Sequence, residues 1–359
     1  MAMLARGIRR LDATLWTHYR PLTFAVGEEY VNTRVDKFIM DKYPRVPYSM
    51  IQRELRNRKV YLMYKEDNKL RCKPGDHFQY ACDIHIPDYF EKVEKGFEQT
   101  ASTTILSQTK ELASQILYED DHCVVVNKPS GLCCQPEGKS PSVLQLLQSL
   151  HPSQLLYPVH RLDRGTSGVL MVAKDRETAR KLSHELVCGL VTKEYMAVGV
   201  ANSAFPSSGI ILSDMRRTQD YTGCLYRAQD ISIRSLPSNS FPQHVIGSEE
   251  YPAVTGYRVV DNKGKGYLLR CRLYTGKTHQ IRVHLKDALG VELLGDEKYG
   301  SKETQLLTRK RMRTDFRRQE LFLHCQRIEV RINGKRVEIV APLPDHFRIC
   351  CRRMGLQIA

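Results

Sequence analysis

The sequence predicts an α+β protein in which a small N-terminal α/β domain precedes a larger domain built on a mixed or antiparallel sheet. Three observations support this fold class. The 359 residues exceed the usual size of one domain, roughly 100–200 residues. After about residue 116, short β-branched runs outnumber helical stretches, without the regular alternation of a parallel sheet. Before that point, apolar residues recur every three or four positions in two short segments, as in amphipathic helices.

Residues 1–24 form a basic, amphipathic N-terminal segment. It contains four arginines and one aspartate, and Leu4, Ile8, Leu11 and Leu15 recur at helical spacing. Organellar presequences have this character, so the segment predicts a mitochondrial location. Two alternatives stay open: the segment is a basic arm that remains attached and contacts RNA, or the protein resides in the cytosol or nucleus.

Residues 30–90 are predicted to form the small N-terminal domain. Two short helices precede a strand that ends at the turn Lys73-Pro74-Gly75-Asp76. A helix–turn–helix followed by a basic loop and strands resembles the RNA-binding domain first seen in ribosomal protein S-four, although the glycine usual near position 58 is absent. The resemblance implies RNA contacts at the matching basic residues, which are Arg34, Arg53, Arg56, Arg58 and Lys59.

Residues 91–115 are polar, lack a dense apolar pattern and are predicted to be a linker. The larger domain then covers 116–359. Its predicted strands are the β-branched runs at 124–126, 169–172, 198–200, 267–273, 281–285 and 328–332. Residues 202–250, which have many serines and prolines and little periodicity, predict a loop or insertion.

The charge balance points to a polyanionic partner. Lys and Arg number 55 against 40 Asp and Glu, and the net charge of +15 favours nucleic acid ahead of an anionic membrane surface. The eleven cysteines are odd in number and scattered, which favours reduced thiols over disulfides or a zinc ribbon. No apolar run approaches the roughly 20 residues that span a bilayer. We therefore expect a soluble protein that binds nucleic acid.

The segment 158–174 is the most informative part of the chain. Asp163 lies between Arg161 and Arg164, directly before a Gly-Thr-Ser-Gly turn that leads into an apolar strand. Core packing does not require a carboxylate at this junction. Taken alone, however, a loop aspartate is more often a turn cap paired with a neighbouring arginine.

A second polar cluster follows at 273–285, where a turn precedes a predicted strand. Strand alternation would place Gln280, Arg282 and His284 on one face, so that this face meets a cleft or solvent. His279 and His284 have no carboxylate or cysteine at ligand spacing, which argues against a metal site. We interpret both histidines as structural hydrogen-bonding groups.

Together these segments resemble the motifs of the RluA-like pseudouridine synthases. HRLDRGTSG resembles the central motif of that family, and TGKTHQIRVHL with LGDEKYG resembles the later motif. VVNKPSG and TKEYMAV resemble the first and the intermediate motifs, and all occur in the family's order. The resemblance spans about 116–348, with Lys277 where arginine is usual and Cys133-Cys134 where aliphatic residues are customary.

The resemblance implies a pseudouridine synthase fold and an isomerase that converts uridine to pseudouridine in structured RNA with no cofactor and no metal. The bond from the anomeric carbon to the ring nitrogen breaks, the uracil turns, and a bond to carbon-5 forms. The matching positions make Asp163 the catalytic carboxylate, acting as nucleophile or base, with Arg282 paired to it. They place Tyr195 against the uracil ring, where it is also a candidate base for the carbon-5 proton.

Further basic residues are expected to contact the RNA. Arg161 is expected to enter the RNA stack as the target base swings out. Phosphate contacts are expected from Lys277 and from a basic stretch that contains Arg309, Lys310, Arg311 and Arg313.

Ribosomal RNA is the expected substrate, with transfer RNA as an alternative and ribosomal assembly particles as expected partners. The competing hypothesis is an RNA-binding factor in ribosome assembly whose catalysis is dispensable. The joint presence of Asp163, Tyr195 and Arg282 favours the enzyme, because a purely structural protein would need none of the three together.

Overall fold

The computed structural model of the chain describes residues 21–43, 46, 48–64, 68–91, 94, 102–136, 140–220, 223–236, 241, 252–311, 320–332 and 334–358. The chain divides into two compact units, Met1–Ser107 with Pro136–Pro141, and Gln108–Gln135 with Ser142–Ala359. None of the helices in these ranges is long and apolar enough to span a bilayer. The cysteines whose side chains are described are free thiols.

The N-terminal unit packs two helices on one face of an antiparallel sheet. Its elements are β1 (Pro21–Val26), α1 (Val35–Lys42), α2 (Tyr48–Arg56), β2 (Tyr61–Tyr64), β3 (Asn68–Arg71) and β4 (Cys82–Pro87). The strand order is β1-β4-β2-β3. Both predicted helices are present, because their apolar positions meet those of the strands in one core that includes Val35, Phe38, Ile39, Ile51, Leu55, Leu62, Ile84 and Ile86.

Two details of this unit bear on the sequence expectations. Residues 1–20 of the predicted presequence lie outside the described residues, but its last four, Pro21 to Phe24, belong to β1 and pair with β4. Arg58 has a φ of 56° in the turn after α2, at the position where glycine is usual. It adopts there the left-handed conformation that glycine adopts most easily.

The larger unit contains most of the secondary structure. The elements that follow β4 are α3 (Ser102–Ala113), β5 (Ile116–Glu119), β6 (Cys123–Lys128), α4 (Val143–Leu150), β7 (Tyr157–Pro158), β8 (Ser167–Ala173), α5 (Arg176–Val187), β9 (Thr192–Val200), β10 (Ser208–Asp220), β11 (Gly223–Arg234), β12 (Ala253–Lys263), β13 (Gly266–Leu273), α6 (Gln280–Leu289), β14 (Glu292–Leu293), α7 (Lys302–Arg311), β15 (Leu323–Ile332), β16 (Lys335–Val340) and α8 (Asp345–Met354). Helix α3 lies within the predicted linker 91–115, and the boundary between the units falls inside it.

One mixed sheet organises this unit. Its main strand order is β11-β10-β12-β13-β9-β15-β8-β6-β5. Among the described strand pairs, only β8 with β15 is parallel, which confirms the predicted mixed sheet. Every residue of β8 is buried, as expected for a central apolar strand. Helix α8 packs on the sheet, where Phe347, Cys350 and Cys351 share a buried core with Met196 and Val198.

The segment predicted as a strand at 281–285 is instead the start of helix α6. Ile281, Val283 and Leu285 alternate with polar residues and have high strand propensity, which misled the local prediction. In the fold, however, Gln280 and His284 are buried as well. A helix that is covered on most sides has no clear amphipathic period, so the sequence pattern could not reveal it.

The segment predicted as a loop at 202–250 contains the long β10–β11 hairpin, while residues 221–222, 237–240 and 242–250 lie outside the described residues. Leu225 of the hairpin packs against Val283 of α6 and against Tyr299. Much of the hairpin is exposed, so its strands lack the regular apolar alternation that identifies a half-buried strand.

Candidate active site

The loop that carries Asp163 connects β7 to β8 and is fixed through its own backbone. The Nζ of the buried Lys128 donates to three carbonyl oxygens, among them that of Arg164 at 3.1 Å. Ser130 Oγ donates to the carbonyl oxygen of Gly165 at 2.6 Å. Burial lowers the pKa of Lys128 to about 8. The first motif of the sequence thus holds the backbone of the central motif in place.

Arg282, in the first turn of α6, joins two carboxylates. Its Nη1 donates to Asp163 Oδ2 at 2.9 Å, while Nε and Nη2 donate to the two oxygens of Asp296 at 2.8 and 2.7 Å. The side chains of Arg282 and Asp296 are 10% and 2% exposed, whereas Asp163 is 26% exposed. Burial opposes the charge on Arg282, but the hydrogen bonds and charges of Asp296 and Asp163 outweigh it and raise its pKa. Asp296 therefore fixes Arg282, and Arg282 orients Asp163.

His279 lies next to the same carboxylate. Its Nε2 is 3.9 Å from Asp163 Oδ2, and its Nδ1 is 2.8 Å from the hydroxyl of Tyr299. Burial lowers the pKa of His279 to about 4, in spite of the nearby Asp163 charge, so that the imidazole is neutral at pH 7. The Tyr299 ring also lies 5.0 Å from the Arg282 guanidinium, a cation–π distance.

Tyr195 lies on β9, in the middle of the sheet, with its side chain directed into the site. It is 5% exposed and lies opposite Cys325 of β15 in the strand register. Burial, together with the Cys325 side chain and the Asp163 charge, raises the Tyr195 pKa well above its ordinary value. The phenol therefore keeps its proton at neutral pH. Lys193, two residues earlier, is also buried, and burial lowers its pKa.

These side chains line one cavity of about 520 Å³ within the larger unit. Asp163, Tyr195, His279 and Arg282 all contribute to its wall. The predicted RNA-contacting residues Arg161 and Lys277 also line it, and both are exposed. A cavity of this volume lies within the usual range for small-molecule sites.

The structure thus brings together the three residues predicted to carry the chemistry, although Asp163 and Arg282 lie 119 positions apart in the chain. The sequence predicted no function for Asp296, although it lies in the motif LGDEKYG. The sequence pattern also indicated a structural role for His279. One signal for Asp296 was available, because an aspartate directly after Gly295 predicts a tight turn. Gly295 has a φ of 72°, and a Cβ there would lie 1.9 Å from the Glu320 carbonyl oxygen.

The predicted RNA contacts of the N-terminal unit are on its surface. Arg34 is exposed and paired with Asp36, at 2.6 Å between Nη2 and Oδ2. Arg56 and Arg58, at the end of α2 and in the following turn, are also exposed.

Two further predicted contacts share one buried acid. Arg53 Nε lies 2.7 Å from Glu54 Oε1, and Lys59 Nζ lies 3.4 Å from Glu54 Oε2. The pairs leave Arg53 more than half exposed, so that its guanidinium can still meet a phosphate.

The basic stretch near residue 310 is described in part. Arg309 is exposed on α7, and Lys310 and Arg311 form the end of that helix. Arg313 lies outside the described residues. The predicted roles of all these basic residues stay predictions.

Comparisons with known proteins indicate the family to which the chain is similar. A family model described as RNA pseudouridylate synthase matches residues 122–287. The protein "Ribosomal large subunit pseudouridine synthase C" of Escherichia coli O157:H7 is 31% identical over 334 residues, which cover 92% of this chain and 95% of the relative. The protein of the same name from Salmonella typhimurium (strain LT2) is 32% identical over 331 residues, which cover 91% and 94%.

A solved structure is similar in fold. "Human RNA Pseudouridylate Synthase Domain Containing 4" has a TM-score of 0.55 and 24% identity, and the match covers 71% of this chain and 98% of that one. The fold and the site define an RNA-modifying isomerase. The chain belongs to the RluA-like family of pseudouridine synthases, as its sequence motifs predicted.

Proposed function

We propose that this isomerase acts on ribosomal RNA of the large subunit and that Asp163 is its catalytic carboxylate. The names of the relatives support the substrate. The observation that supports the role of Asp163 is its position, since it is the partly exposed acid that lines the cavity. The buried Arg282 orients it, and Asp296 holds Arg282 in place.

The geometry fits either proposed role of the carboxylate. As a nucleophile, Asp163 attacks the anomeric carbon; as a base, it removes the neighbouring sugar proton. Arg282 keeps the carboxylate oriented in both cases. Tyr195 contacts the uracil ring and is also the candidate base for the carbon-5 proton; because its pKa is raised, the phenol must first give up its own proton to act as that base. Arg161, exposed at the cavity, takes the place of the extruded base in the RNA stack.

Asp163→Asn tests this proposal, since it keeps the shape of the side chain and removes the charge. We expect release of tritium from carbon-5-labelled uridine in large-subunit ribosomal RNA to disappear, while RNA affinity and melting temperature stay close to wild type. Release at the wild-type rate in Asp163→Asn would refute the assigned role. If the wild-type protein releases no tritium but binds assembly particles, the alternative of a catalytically dispensable assembly factor gains support.

We further propose that the N-terminal unit is an S-four-like RNA-binding domain. Two helices followed by strands, with exposed arginines at the end of α2, support this assignment. Its test is the double variant Arg56→Ala with Arg58→Gly, in which glycine removes the charge without straining the left-handed backbone. Each lost phosphate contact should reduce the slope of log affinity against log salt by about 0.7–0.9. Replacing Arg176 and Arg180 of α5 by alanine is the matched control for loss of two surface charges.

The basic stretch of Arg309, Lys310, Arg311 and Arg313 is proposed to follow RNA phosphates as well. Replacing all four by alanine should weaken binding of different RNA sequences about equally, because phosphate contacts carry no sequence information. A preference that changes with RNA sequence would argue for base contacts instead.

A mitochondrial location is also proposed, on the strength of the basic, amphipathic residues 1–24. A fluorescent protein fused to this segment should enter mitochondria. The matched control replaces Arg6, Arg9 and Arg10 by glutamate and should stay in the cytosol. A diffuse signal from the unmodified fusion would favour the RNA-contacting arm.

A further inference from the structure

A short chain of hydrogen bonds fixes the tautomer of His279. The backbone N–H of Tyr226 donates to the Tyr299 hydroxyl at 3.2 Å, and that hydroxyl lies 2.8 Å from His279 Nδ1. Tyr299 is 4% exposed, and a phenol has one proton to donate. If His279 Nδ1 carried the proton, the buried Tyr299 proton would face a donor instead of an acceptor, which is unfavourable. The Tyr299 hydroxyl therefore donates to Nδ1.

It follows that the proton of the neutral His279 imidazole is on Nε2. That nitrogen faces Asp163 Oδ2 at 3.9 Å, beyond hydrogen-bond distance, and the ring lines the cavity. Burial lowers the His279 pKa to about 4, so that Nε2 remains the donor of a neutral ring at pH 7. A fixed donor thus points into the space where the reacting nucleotide must meet Asp163.

The backbone at His279 is unusual for a residue other than glycine. Its φ is 59° and its ψ is 19°, in the left-handed region, directly before α6. Its side chain makes no hydrogen bond to the first turn of that helix. Strain of this kind persists where the surrounding structure holds a side chain for a purpose, and here it directs the ring toward the cavity.

The chemistry of the reaction identifies an acceptor. When the bond from the anomeric carbon to N1 breaks, the electron pair of that bond passes to the uracil and is shared by N1, O2 and O4. O2 is attached to the carbon next to N1, so it lies beside the anomeric carbon that Asp163 approaches in either of its roles. A preorganised donor at this oxygen stabilises the charge as it develops.

We propose that His279 is a catalytic residue whose Nε2–H donates a hydrogen bond to uracil O2 as the glycosidic bond breaks, and that Tyr299 is a positioning residue that fixes the donor tautomer. This inference rests on the proposed function, with Asp163 at the anomeric carbon. No proton is transferred in this step: the Nε2–H bond remains intact, and the proton from Tyr299 remains on its oxygen.

Two variants separate the donor from the rest of the side chain. His279→Asn suits the left-handed backbone and keeps an acceptor near the Nδ1 position, but it has no group at Nε2. His279→Gln places an amide N–H near Nε2. In single turnovers on a short RNA with one target uridine, we expect a rate roughly 100-fold lower for Asn and within about tenfold of wild type for Gln. RNA affinity should stay close to wild type in both, and His184→Leu, on the exposed face of α5, is the matched control.

A substrate series identifies the acceptor. The ratio of wild-type to His279→Asn rates should fall from roughly 100 on uridine to near 1 on 2-thiouridine, because sulfur is a weak hydrogen-bond acceptor. It should remain roughly 100 on 2′-deoxyuridine. A ratio that persists on 2-thiouridine, or one that falls on the deoxy substrate instead, would overturn the assignment to O2. Nucleosides are separated by chromatography after digestion, so no labelled base is needed.

A spectroscopic measurement that needs no His279 variant covers the case in which the His279 variants do not fold. In the imidazole ¹⁵N spectrum at pH 7, the histidine whose signals change in Tyr299→Phe should be in the Nε2–H tautomer. An Nδ1–H tautomer for His279 would refute the proposed donor. A wild-type rate in His279→Asn would overturn this inference alone, whereas a wild-type protein that isomerises no uridine would overturn the proposed function as well.

Discussion

Asp296→Asn tests the part of the site that the sequence did not reveal. The change keeps the size of the side chain and removes one buried charge. Arg282 then loses the carboxylate that receives two of its three described hydrogen bonds, at 2.8 and 2.7 Å. Both oxygens of Asp296 accept hydrogen bonds from Arg282, and Oδ1 also accepts from the backbone N–H groups of Lys298 and Tyr299. The amide nitrogen of asparagine would therefore place a donor against a donor in either orientation of the side chain.

The size of the effect follows from burial. Arg282 and Asp296 are 10% and 2% exposed, so the loss of one partner leaves a charge in the protein interior with a single acid, Asp163, to balance it. Removing one partner of a buried ion pair costs about 3–5 kcal/mol. Because Asp163 still compensates in part, we expect the free energy of unfolding to fall by about 3 kcal/mol. The rate should fall as well, by about 100-fold, since Arg282 no longer holds Asp163 in position.

Urea denaturation measures the first effect and single-turnover isomerisation the second. Asp345→Asn is the matched control, because Asp345 also pairs with an arginine, Arg348, but at the surface. Its unfolding curve and rate should match wild type. An unfolding free energy for Asp296→Asn that also matches wild type would show that the arginine needs no second acid. A normal rate in a destabilised variant would show that Asp296 is structural only.

Three further predictions concern stability. Gly168→Ala should lower the free energy of unfolding, measured in urea, by about 3 kcal/mol or more, because Gly168 has a φ of 109° and a Cβ there would lie 2.1 Å from the Cys325 carbonyl oxygen. The control Gly264→Ala, where a Cβ would meet open space, should lower it by about 1 kcal/mol. Lys128→Met should lower the unfolding free energy by about 2 kcal/mol or more, because three carbonyl groups lose the donor that the buried Lys128 supplies; a melting temperature equal to wild type would contradict this. Burial lowers the pKa to about 3 for His160 and to about 4 for His279, His284, His324 and His346. The free energy of unfolding should therefore fall as the pH drops from about 6.5 toward 4, by up to about 1.4 kcal/mol per pH unit for each of these histidines, because the unfolded chain takes up protons that the folded chain excludes. Urea midpoints that stay constant from pH 7 to 4.5 would refute the low pKa values.

Local sequence patterns predicted the strands of the larger unit well where the strand is mostly apolar and is buried or half-buried. The runs that became β6, β8 and β13 are examples. The same patterns failed for α6, since Ile281 and Val283 favour a strand locally but are buried within a helix. They also failed for the β10–β11 hairpin, because exposed strands need no apolar alternation.

In the candidate site, too, some features could be predicted from the sequence and others could not. Asp163, Tyr195 and Arg282 could be named from motifs, because each stands in a short run of fixed order. The buried ion pair of Arg282 with Asp296 could not be deduced, since an ion pair depends on distance and burial. No sequence pattern predicts that a turn and a helix will place these groups 2.7 Å apart.

The sequence by itself determined the fold class and the family and named the candidate reacting groups, because residue types and their local order carry that information. Only the tertiary structure decided how these groups are arranged: which acid fixes Arg282, and which nitrogen of His279 holds the proton. The orientation of Arg282 and the tautomer of His279 both depend on partners in other elements of the fold, such as Tyr226 with Tyr299, and on the exclusion of water. Burial strengthens such contacts and shifts the pKa values that set the protonation of the site.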